Sequence, residues 1–547
     1  MRIDRWLALM LLWGVLVPSA TAHAAGGVGI PDVGAAAQFA ASLGPSDAGS
    51  GMSETGLRAR PNLPHHTDTE HFRIWYATSG EDCVYGWPDS TYLHECKVAA
   101  ERCWRGHVDT LGFRAPPLDG GDPDGGGGDD RYDVYMMNLF PVFGYCQPAY
   151  TVPGTFRDDY TSYIGIENDF DGFGFPDRVE PLKMTIAHEF SRACQLSHAC
   201  SAAIWFQNAT AVWSGEAMYD AFNWYIPEIS GALAHPFETL ECDGIPGLSC
   251  GWALWNIYLS TRYGNGVIPE LWYGLEESMP TIMVMESVLA DHGTSLEDAF
   301  EEFWVWNWFT GVRHDGNHYE ESCMWLTAGV QATFTSYPVI DGAPPSLFRP
   351  DRLACNYVRF VRGSQTSPLL VLSYDGPSTS SVPNAAHVAY LDSGGSSHYY
   401  GEIELNPSGN GSLMVEDFSE MSEVGLIVVN KSDNTDDMDY VVQAEVISGS
   451  VPEASRPGIL SLAPNPFRST TEITLHVPPS AGPIELCVYD LRGRRIATLV
   501  EGEQAPGTRT VVWQGTDNRG ERVSSGVYFV RLTAPGFVAS GKMVMLE

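Results

Sequence analysis

Residues 185–198 of the chain read TIAHEFSRACQLSH. The apolar lead-in MTIA predicts a buried helix, and His188 and Glu189 follow it directly. Residues at positions i and i+4 of a helix lie on one face, so position 192 belongs beside His188. Arg192 occupies that position, and this residue decides how the first half of the chain is interpreted.

The pattern HExxH is typical of zinc peptidases of the gluzincin type. Two histidines at i and i+4 bind the ion, a later helix supplies a third ligand, and the glutamate at i+1 activates the bound water. His188 and Glu189 match the first ligand and the general base. Arg192 cannot act as the second ligand, because a guanidinium stays protonated, offers no lone pair and repels a cation.

Two further residues are candidates to replace a missing zinc ligand. His198 follows His188 by ten residues, which is the metzincin offset, but Gln195 stands where that arrangement has its turn glycine. On a continuous helix His198 lies about 15 Å further along the axis. Glu216 lies about 12 Å beyond Asn208 on the next predicted helix. Neither spacing favours a shared metal site.

Three segments together resemble a known family: HEFSRACQ, WFQNATAVW and FWVWNWFTG. They are similar to a group of secreted bacterial zinc metallopeptidases with HEFFHAVQ in the site helix and WxxEATAxW in the next. The resemblance runs from about Glu70 to about Ser448. It implies a zincin-like domain with His188 as first ligand and Glu189 as general base. It also implies that Arg192 replaces the second histidine and that Asn208 replaces the glutamate ligand.

Two hypotheses for the function follow. The first is a non-catalytic pseudopeptidase without metal, whose cleft binds a peptide or protein by strand pairing. The alternative is an active zinc endopeptidase with an unusual ligand set and Glu189 as general base. Zinc is the expected cofactor only in the second case.

The composition and the N-terminus indicate an exported protein. Among its 547 residues, Asp and Glu number 68 and Lys and Arg 31, a net charge of −37 that argues against nucleic acid or an anionic membrane as partner. Arg2 and Arg5 precede the apolar run WLALMLLWGVLV, and Ala22-His23-Ala24 resembles a signal cleavage site. We expect an extracellular or cell-surface location, and no later segment predicts a transmembrane anchor.

The predicted fold is a multidomain α+β protein. A zincin-like domain with a mixed sheet and helices precedes two β-sandwiches, the last of them Ig-like. The predicted divisions are a signal peptide (1–24), a flexible leader (25–66), the peptidase-related domain (67–338), a β-sandwich (339–449), a linker (450–459) and the second sandwich (460–547).

The last segment carries a second resemblance. APNPF, ELCVYDLRGRRIATL, VVWQGTDNRGERVSSGVYFVRL and GKMVMLE resemble the FlgD-type Ig-like domain, which is similar to the C-terminal sorting domains of type IX secretion substrates. This resemblance implies the export machinery as a partner. A module that only adds stability is the alternative.

Cysteine content predicts disulfides, because the chain holds eleven cysteines and is expected to leave the cytoplasm. Cys96 and Cys103 lie about 10 Å apart along a predicted helix, too far to bond each other, so each needs another partner, for which Cys83 is a candidate. Cys242 and Cys250 are placed to close a small loop. A dyad of Cys194 with His198 is less favoured than a disulfide or a packed thiol.

Two more segments carry local predictions. Residues 119–130, DGGDPDGGGGDD, hold five aspartates without the spacing of a calcium loop, which favours a solvated turn over a calcium site. Residues 295–311 predict an amphipathic helix, with Thr294 and Glu297 at capping-box spacing. Its tryptophans are expected in the core rather than on a carbohydrate platform; they are Trp304, Trp306 and Trp308.

Overall fold

The computed structural model of the protein describes residues 60–241, 248–447, 458–477, 483–490, 494–505, 507–534 and 537–546. The predicted signal peptide, Cys242 and most of the predicted leader and linker lie outside the described residues. The chain divides into two compact units, one comprising Met1–Val312 and Gly316–Gly329 and the other Arg313–Asp315 and Val330–Glu547. Each unit is described by itself below.

A mixed five-stranded sheet opens the first unit. Its strand order is β1-β2-β3-β5-β4, with β2, β3 and β5 mutually parallel and the two edge strands antiparallel to their neighbours. Phe72 and Ile74 are fully buried on one face of β2, as the alternation of apolar and polar residues predicts. The strands are β1 (His65–Asp68), β2 (Phe72–Tyr76), β3 (Tyr132–Met137), β4 (Gly144–Thr151) and β5 (Tyr160–Glu167).

Helices make up most of the remainder of this unit. Helix α2, which carries His188, packs against α1, α3 and strands β4 and β5. The helices are α1 (Thr91–Trp104), α2 (Val179–Leu196), α3 (Ile204–Met218), α4 (Tyr225–Ala234), α5 (Leu248–Gly251), α6 (Ala253–Tyr263), α7 (Val267–Leu275), α8 (Thr281–Asp291) and α9 (Leu296–Trp308). Residues 60–64, which the sequence assigns to the leader, lead directly into β1.

Helix α9 confirms the predicted core role of its aromatic residues. Trp304 and Trp308 are fully buried, whereas Trp306 is partly exposed. The predicted cap is wrong by one residue. Ser295 is the N-cap, and its hydroxyl accepts the Asp298 N–H at 3.0 Å, because the helix begins at Leu296.

The second unit is rich in β-strands, as predicted. Its first part has a five-stranded sheet, β11-β10-β13-β8-β6, and a four-stranded sheet, β12-β9-β14-β7. Both contribute to one apolar core that includes Phe360, Leu372 and Val442. The strands are β6 (Ala332–Phe334), β7 (Val339–Gly342), β8 (Ala354–Val361), β9 (Leu369–Asp375), β10 (Asn384–Asp392), β11 (Ser397–Glu402), β12 (Asn410–Val415), β13 (Met421–Asn430) and β14 (Val441–Ile447).

The C-terminal part contains a three-stranded sheet, β15-β16-β19, and a four-stranded sheet, β18-β17-β20-β21. Trp513, Leu486 and Val530 belong to its own buried core. The strands are β15 (Gly458–Ala463), β16 (Thr471–Val477), β17 (Pro483–Tyr489), β18 (Arg495–Glu503), β19 (Gly507–Trp513), β20 (Gly526–Ala534) and β21 (Phe537–Met545).

Candidate functional site: the helix pair α2 and α3

Helix α2 presents the two retained residues of the peptidase pattern in a buried setting. His188 is 8% exposed and Glu189 5% exposed. Arg192 follows one turn later and is partly exposed. On the neighbouring helix α3, Asn208 is 9% exposed. The residues that the sequence assigns to the site therefore lie on two helices in mutual contact.

Arg192 and Asn208 contact each other directly. Arg192 Nη1 donates to Asn208 Oδ1 at 2.9 Å, and Asn208 Nδ2 donates to Ser249 Oγ at 3.1 Å. A neutral amide accepts a guanidinium N–H on one side and still donates on the other. The two positions that carry zinc ligands in the resembled family are thus joined by a hydrogen bond.

His188 is a neutral imidazole in this setting. Burial, together with the positive charge of Arg192, lowers its pKa to about 3. A neutral imidazole is the form that binds a metal, but it is also the ordinary form of a core histidine. Its protonation state therefore does not separate the two roles.

Glu189 lies between Arg192 and the sheet edge. Burial raises its pKa to about 7, while Arg192 and a hydrogen bond from the Cys146 backbone N–H oppose this rise. Cys146 belongs to edge strand β4, and that strand approaches α2 closely at a glycine. A Cβ on Gly144 would lie 3.2 Å from Glu189 Cγ. The sequence did not predict β4 or its contact with Glu189.

The donor set does not fit a three-ligand zinc site. Structural and catalytic zinc take at least three Cys, His, Asp or Glu ligands, and here two of those positions hold a guanidinium and an amide. Among the described residues, some sets of three His, Cys, Asp or Glu side chains bring their possible ligand atoms within 4.8 Å of one another. Neither His188 nor Glu189 belongs to such a set.

His198 is fully buried just beyond the end of α2, and protein groups contact both of its ring nitrogens. Nε2 accepts the Arg114 backbone N–H at 3.1 Å, which places the proton on Nδ1, and Nδ1 donates to Glu276 Oε1 at 2.7 Å. Glu276 also accepts two hydrogen bonds from the Arg114 guanidinium nitrogen Nη2. Burial lowers the pKa of His198 to about 4. A metal would have to displace one of these partners.

Glu216 lies two turns beyond Asn208 on α3 and faces other acidic groups. Burial, together with the charges of Glu321 and Asp220, raises its pKa to about 8. Its Oε2 is buried and accepts no hydrogen bond. The carboxyl group is thus largely protonated at neutral pH, which is not the form that binds zinc.

The predicted disulfides of Cys83, Cys96 and Cys103 are absent from the part of the chain that the structure describes, where these three cysteines have free thiols. The pairing predicted for Cys250 lies outside the described residues, because its partner Cys242 does. Most of the described cysteines are buried small apolar residues, which is a common role of cysteine in a core. Burial raises the pKa of Cys194 well above its usual value, and both ring nitrogens of His198 have other partners, which disfavours a dyad of the two residues.

Comparison with known proteins identifies the C-terminal part. Residues 464–536 match the FlgD Ig-like domain. This match confirms the FlgD-type part of the second resemblance; it covers a small part of the chain and says nothing about the α2–α3 site. The comparison with curated proteins gives no match.

Solved structures give only local similarity. PorZ, described as an essential bacterial surface component of the type-IX secretion system of Porphyromonas gingivalis, is 16% identical over 28% of this chain and 24% of its own, with a TM-score of 0.13. Dimeric latent PorU from Porphyromonas gingivalis is 16% identical over 35% of this chain and 20% of its own, with a TM-score of 0.16. The chain thus spans a quarter or less of the length of either protein. These matches do not confirm the metallopeptidase resemblance.

In the part of the chain that the structure describes, no helix combines the length and the apolar character needed to cross a membrane.

Proposed function

We propose that the protein is an exported, surface-associated or secreted binding protein whose first unit uses a metallopeptidase-like scaffold without its metal. The hydrogen bond between Arg192 and Asn208 is the observation that carries this proposal. It explains two replacements at once: a cation enters where a histidine ligand stood, and an anionic ligand gives way to a neutral acceptor. Arg192 also supplies positive charge near Glu189, the role that zinc would otherwise take.

The ligand is proposed to be a peptide segment or protein partner that pairs with strand β4. Strand β4 is an edge strand, and an edge can pair with an extended peptide. Export is proposed from the signal-like N-terminus together with the FlgD-like domain, with the export machinery as partner of that domain.

A zinc measurement tests the proposal. Purified wild-type protein is expected to hold no zinc at His188, whereas Arg192→His combined with Asn208→Glu restores the three-ligand set and is expected to bind one zinc per chain. The control adds His188→Ala to the double variant and is expected to lose that zinc. One tightly bound zinc in the wild type, lost on His188→Ala, would contradict the proposal.

The second candidate, an active endopeptidase, is favoured by one observation. A carboxylate whose pKa lies near 7 is suited to general-base catalysis, and burial raises the pKa of Glu189 to about 7. Cleavage of an unfolded protein substrate by the wild type, abolished by Glu189→Gln and by a zinc chelator, would establish this alternative.

A further inference from the structure

The acidic segment 119–130 is only in part the solvated turn that the sequence predicts, because Asp119 is buried and Asp122 is half-buried. Together with Asp133 at the start of β3, it closes around the buried guanidinium of Arg60, whose side chain is 8% exposed. The Nη2 atom lies 2.8 Å from Asp119 and 3.2 Å from Asp122, Nε lies 3.2 Å from Asp124, and Nη1 lies 2.7 Å from Asp133. One cation thus contacts four carboxylates.

The loop backbone packs tightly against these groups. A Cβ on Gly127 would lie 2.0 Å from Asp133 Oδ2, and one on Gly126 would lie 1.8 Å from the Asp119 carbonyl oxygen. Both glycines also have positive φ. The glycine run therefore allows the chain to close over the carboxylates, which side chains at these positions would prevent.

Side chains on neighbouring strands donate hydrogen bonds to two of the carboxylates. Thr161 Oγ1 donates to Asp122 at 2.7 Å, and Trp75 Nε1 donates to Asp133 at 2.8 Å. The guanidinium also lies over the ring of Tyr163, 5.2 Å from its centroid. Arg60 thereby connects the segment that enters β1 with the loop and with strands β2, β3 and β5.

Four aspartates around one arginine leave negative charge in excess. Burial raises the pKa of Asp119 to about 8 although Arg60 lowers it, and burial raises that of Asp133 to about 6. The carboxylates contact different nitrogen atoms of a planar guanidinium and do not converge on one point, as the ligands of a metal ion would. Among the described residues, the sets of three possible metal-ligand atoms that lie within 4.8 Å of one another contain none of these aspartates.

We propose that residues 119–133 form a guanidinium-binding socket, filled by Arg60 of the same chain, and that this contact straps the N-terminal edge strand β1 onto the sheet. The planar fork of arginine offers five N–H donors in a fixed arrangement, which matches carboxylates placed around it in several directions. Lysine provides one compact charge and cannot contact all four. The inference about Arg60 and its socket does not depend on the proposed function, because these residues lie outside the α2–α3 site.

Chemical rescue of the full chain tests the socket. Removing one partner of a buried ion-pair network is strongly destabilising, so Arg60→Ala is expected to lower the melting temperature of the first unit by on the order of 10 °C. Millimolar methylguanidinium is expected to restore part of this loss, and methylammonium at the same concentration is not. The control Arg262→Ala removes an exposed arginine that pairs with Glu302 and is expected to show neither effect.

A second substitution separates the socket from a general stabilising role. Asp122→Asn is expected to destabilise the wild type, since Asp122 pairs with Arg60, but to stabilise the Arg60→Ala variant by removing one of the carboxyl groups that have lost Arg60 as a partner. Should Arg60→Ala not fold, Arg60→Lys replaces it, with faster hydrogen exchange of β1 and of residues 119–133 as the expected result. Equal destabilisation by Asp122→Asn in both backgrounds would overturn the proposal. A melting temperature of the wild type that rises with Ca²⁺ and falls with EDTA would overturn it as well, in favour of a calcium site.

Discussion

A buried histidine with a partner on each nitrogen contributes to stability rather than to metal binding, and His198 is such a residue. Its ring lies between the Arg114 amide and the Glu276 carboxylate. The offset from His188 made His198 a candidate third ligand, although the helix geometry already disfavoured it. Spacing along a sequence carries no information about which partners arrive from distant segments. Glu276, 78 residues further on, could not be paired with His198 from the sequence.

Replacing His198 should therefore cost stability without affecting metal content. In His198→Ala the buried Glu276 oxygen and the Arg114 N–H lose a partner, and we expect the free energy of unfolding to fall by about 2–4 kcal/mol. Chemical denaturation followed by tryptophan fluorescence measures the change. His94→Ala, on the exposed face of α1, is the control and should be nearly neutral. Loss of bound zinc from the His198 variant would contradict this assignment.

At the scale of elements, hydrophobic periodicity predicted the helices and strands that have an apolar or amphipathic sequence. It did not predict a strand that is defined only by its hydrogen-bonded pairing with a neighbour. Strands β2, β3 and β5 and helices α2, α3 and α9 coincide with apolar periodic segments. Strand β4, with the sequence GYCQPAYT, lacks that pattern and includes a proline, yet it is fixed by antiparallel pairing with β5. The contact of its Cys146 N–H with Glu189 followed from neither composition nor spacing. The same holds for the aspartates 119–124, whose shared partner Arg60 lies about 60 residues earlier.

The close approach of β4 to α2 gives a prediction for the element pair. A Cβ on Gly144 would lie 2.5 Å from Thr185 Cγ2 and 3.0 Å from the Gly165 carbonyl oxygen, so Gly144→Ala must separate strand and helix. We expect a loss of about 1–3 kcal/mol, as for other overpacked sites.

The control is Gly266→Ala, because the nearest atom to a Cβ there lies 3.9 Å away. Thermal unfolding compares the two variants, and hydrogen exchange of residues 144–151 shows whether β4 is the element that loosens. Equal melting temperatures for Gly144→Ala and the wild type would show that β4 moves without cost.

For the whole molecule, buried ionisable groups should control the dependence of stability on pH. Burial raises the pKa of Glu167 to about 7 and the pKa values of Glu216 and Glu228 to about 8. Burial lowers the pKa of His107 to about 4. Both oxygens of Glu228 are buried without a hydrogen-bond partner. No neighbouring group in the described part of the chain donates a hydrogen bond that would stabilise the ionised carboxylate, so the folded state favours the protonated form.

The sign of each contribution follows from linkage. A carboxyl whose folded pKa exceeds its unfolded value of about 4.3 stabilises the fold at low pH, and this contribution is lost as the pH rises toward 8. A histidine whose folded pKa lies below its unfolded value of about 6.5 contributes above that pH, and the contribution is lost as the pH falls toward 4. The first unit should therefore lose stability between about pH 5 and pH 9, where the raised carboxyls ionise.

The variant Glu228→Gln isolates one of these groups. Glutamine keeps the shape of the protonated side chain but cannot ionise, so the variant should match the wild type at pH 5 and exceed its stability at pH 9 by on the order of 2 kcal/mol. Tryptophan fluorescence reports mainly on the first unit, since Trp513 is the only tryptophan after residue 330. Glu277→Gln, at an exposed position, is the control and should leave the pH profile unchanged. A Glu228→Gln profile parallel to that of the wild type across this range would show that Glu228 ionises in the folded state without cost, through a partner gained at high pH.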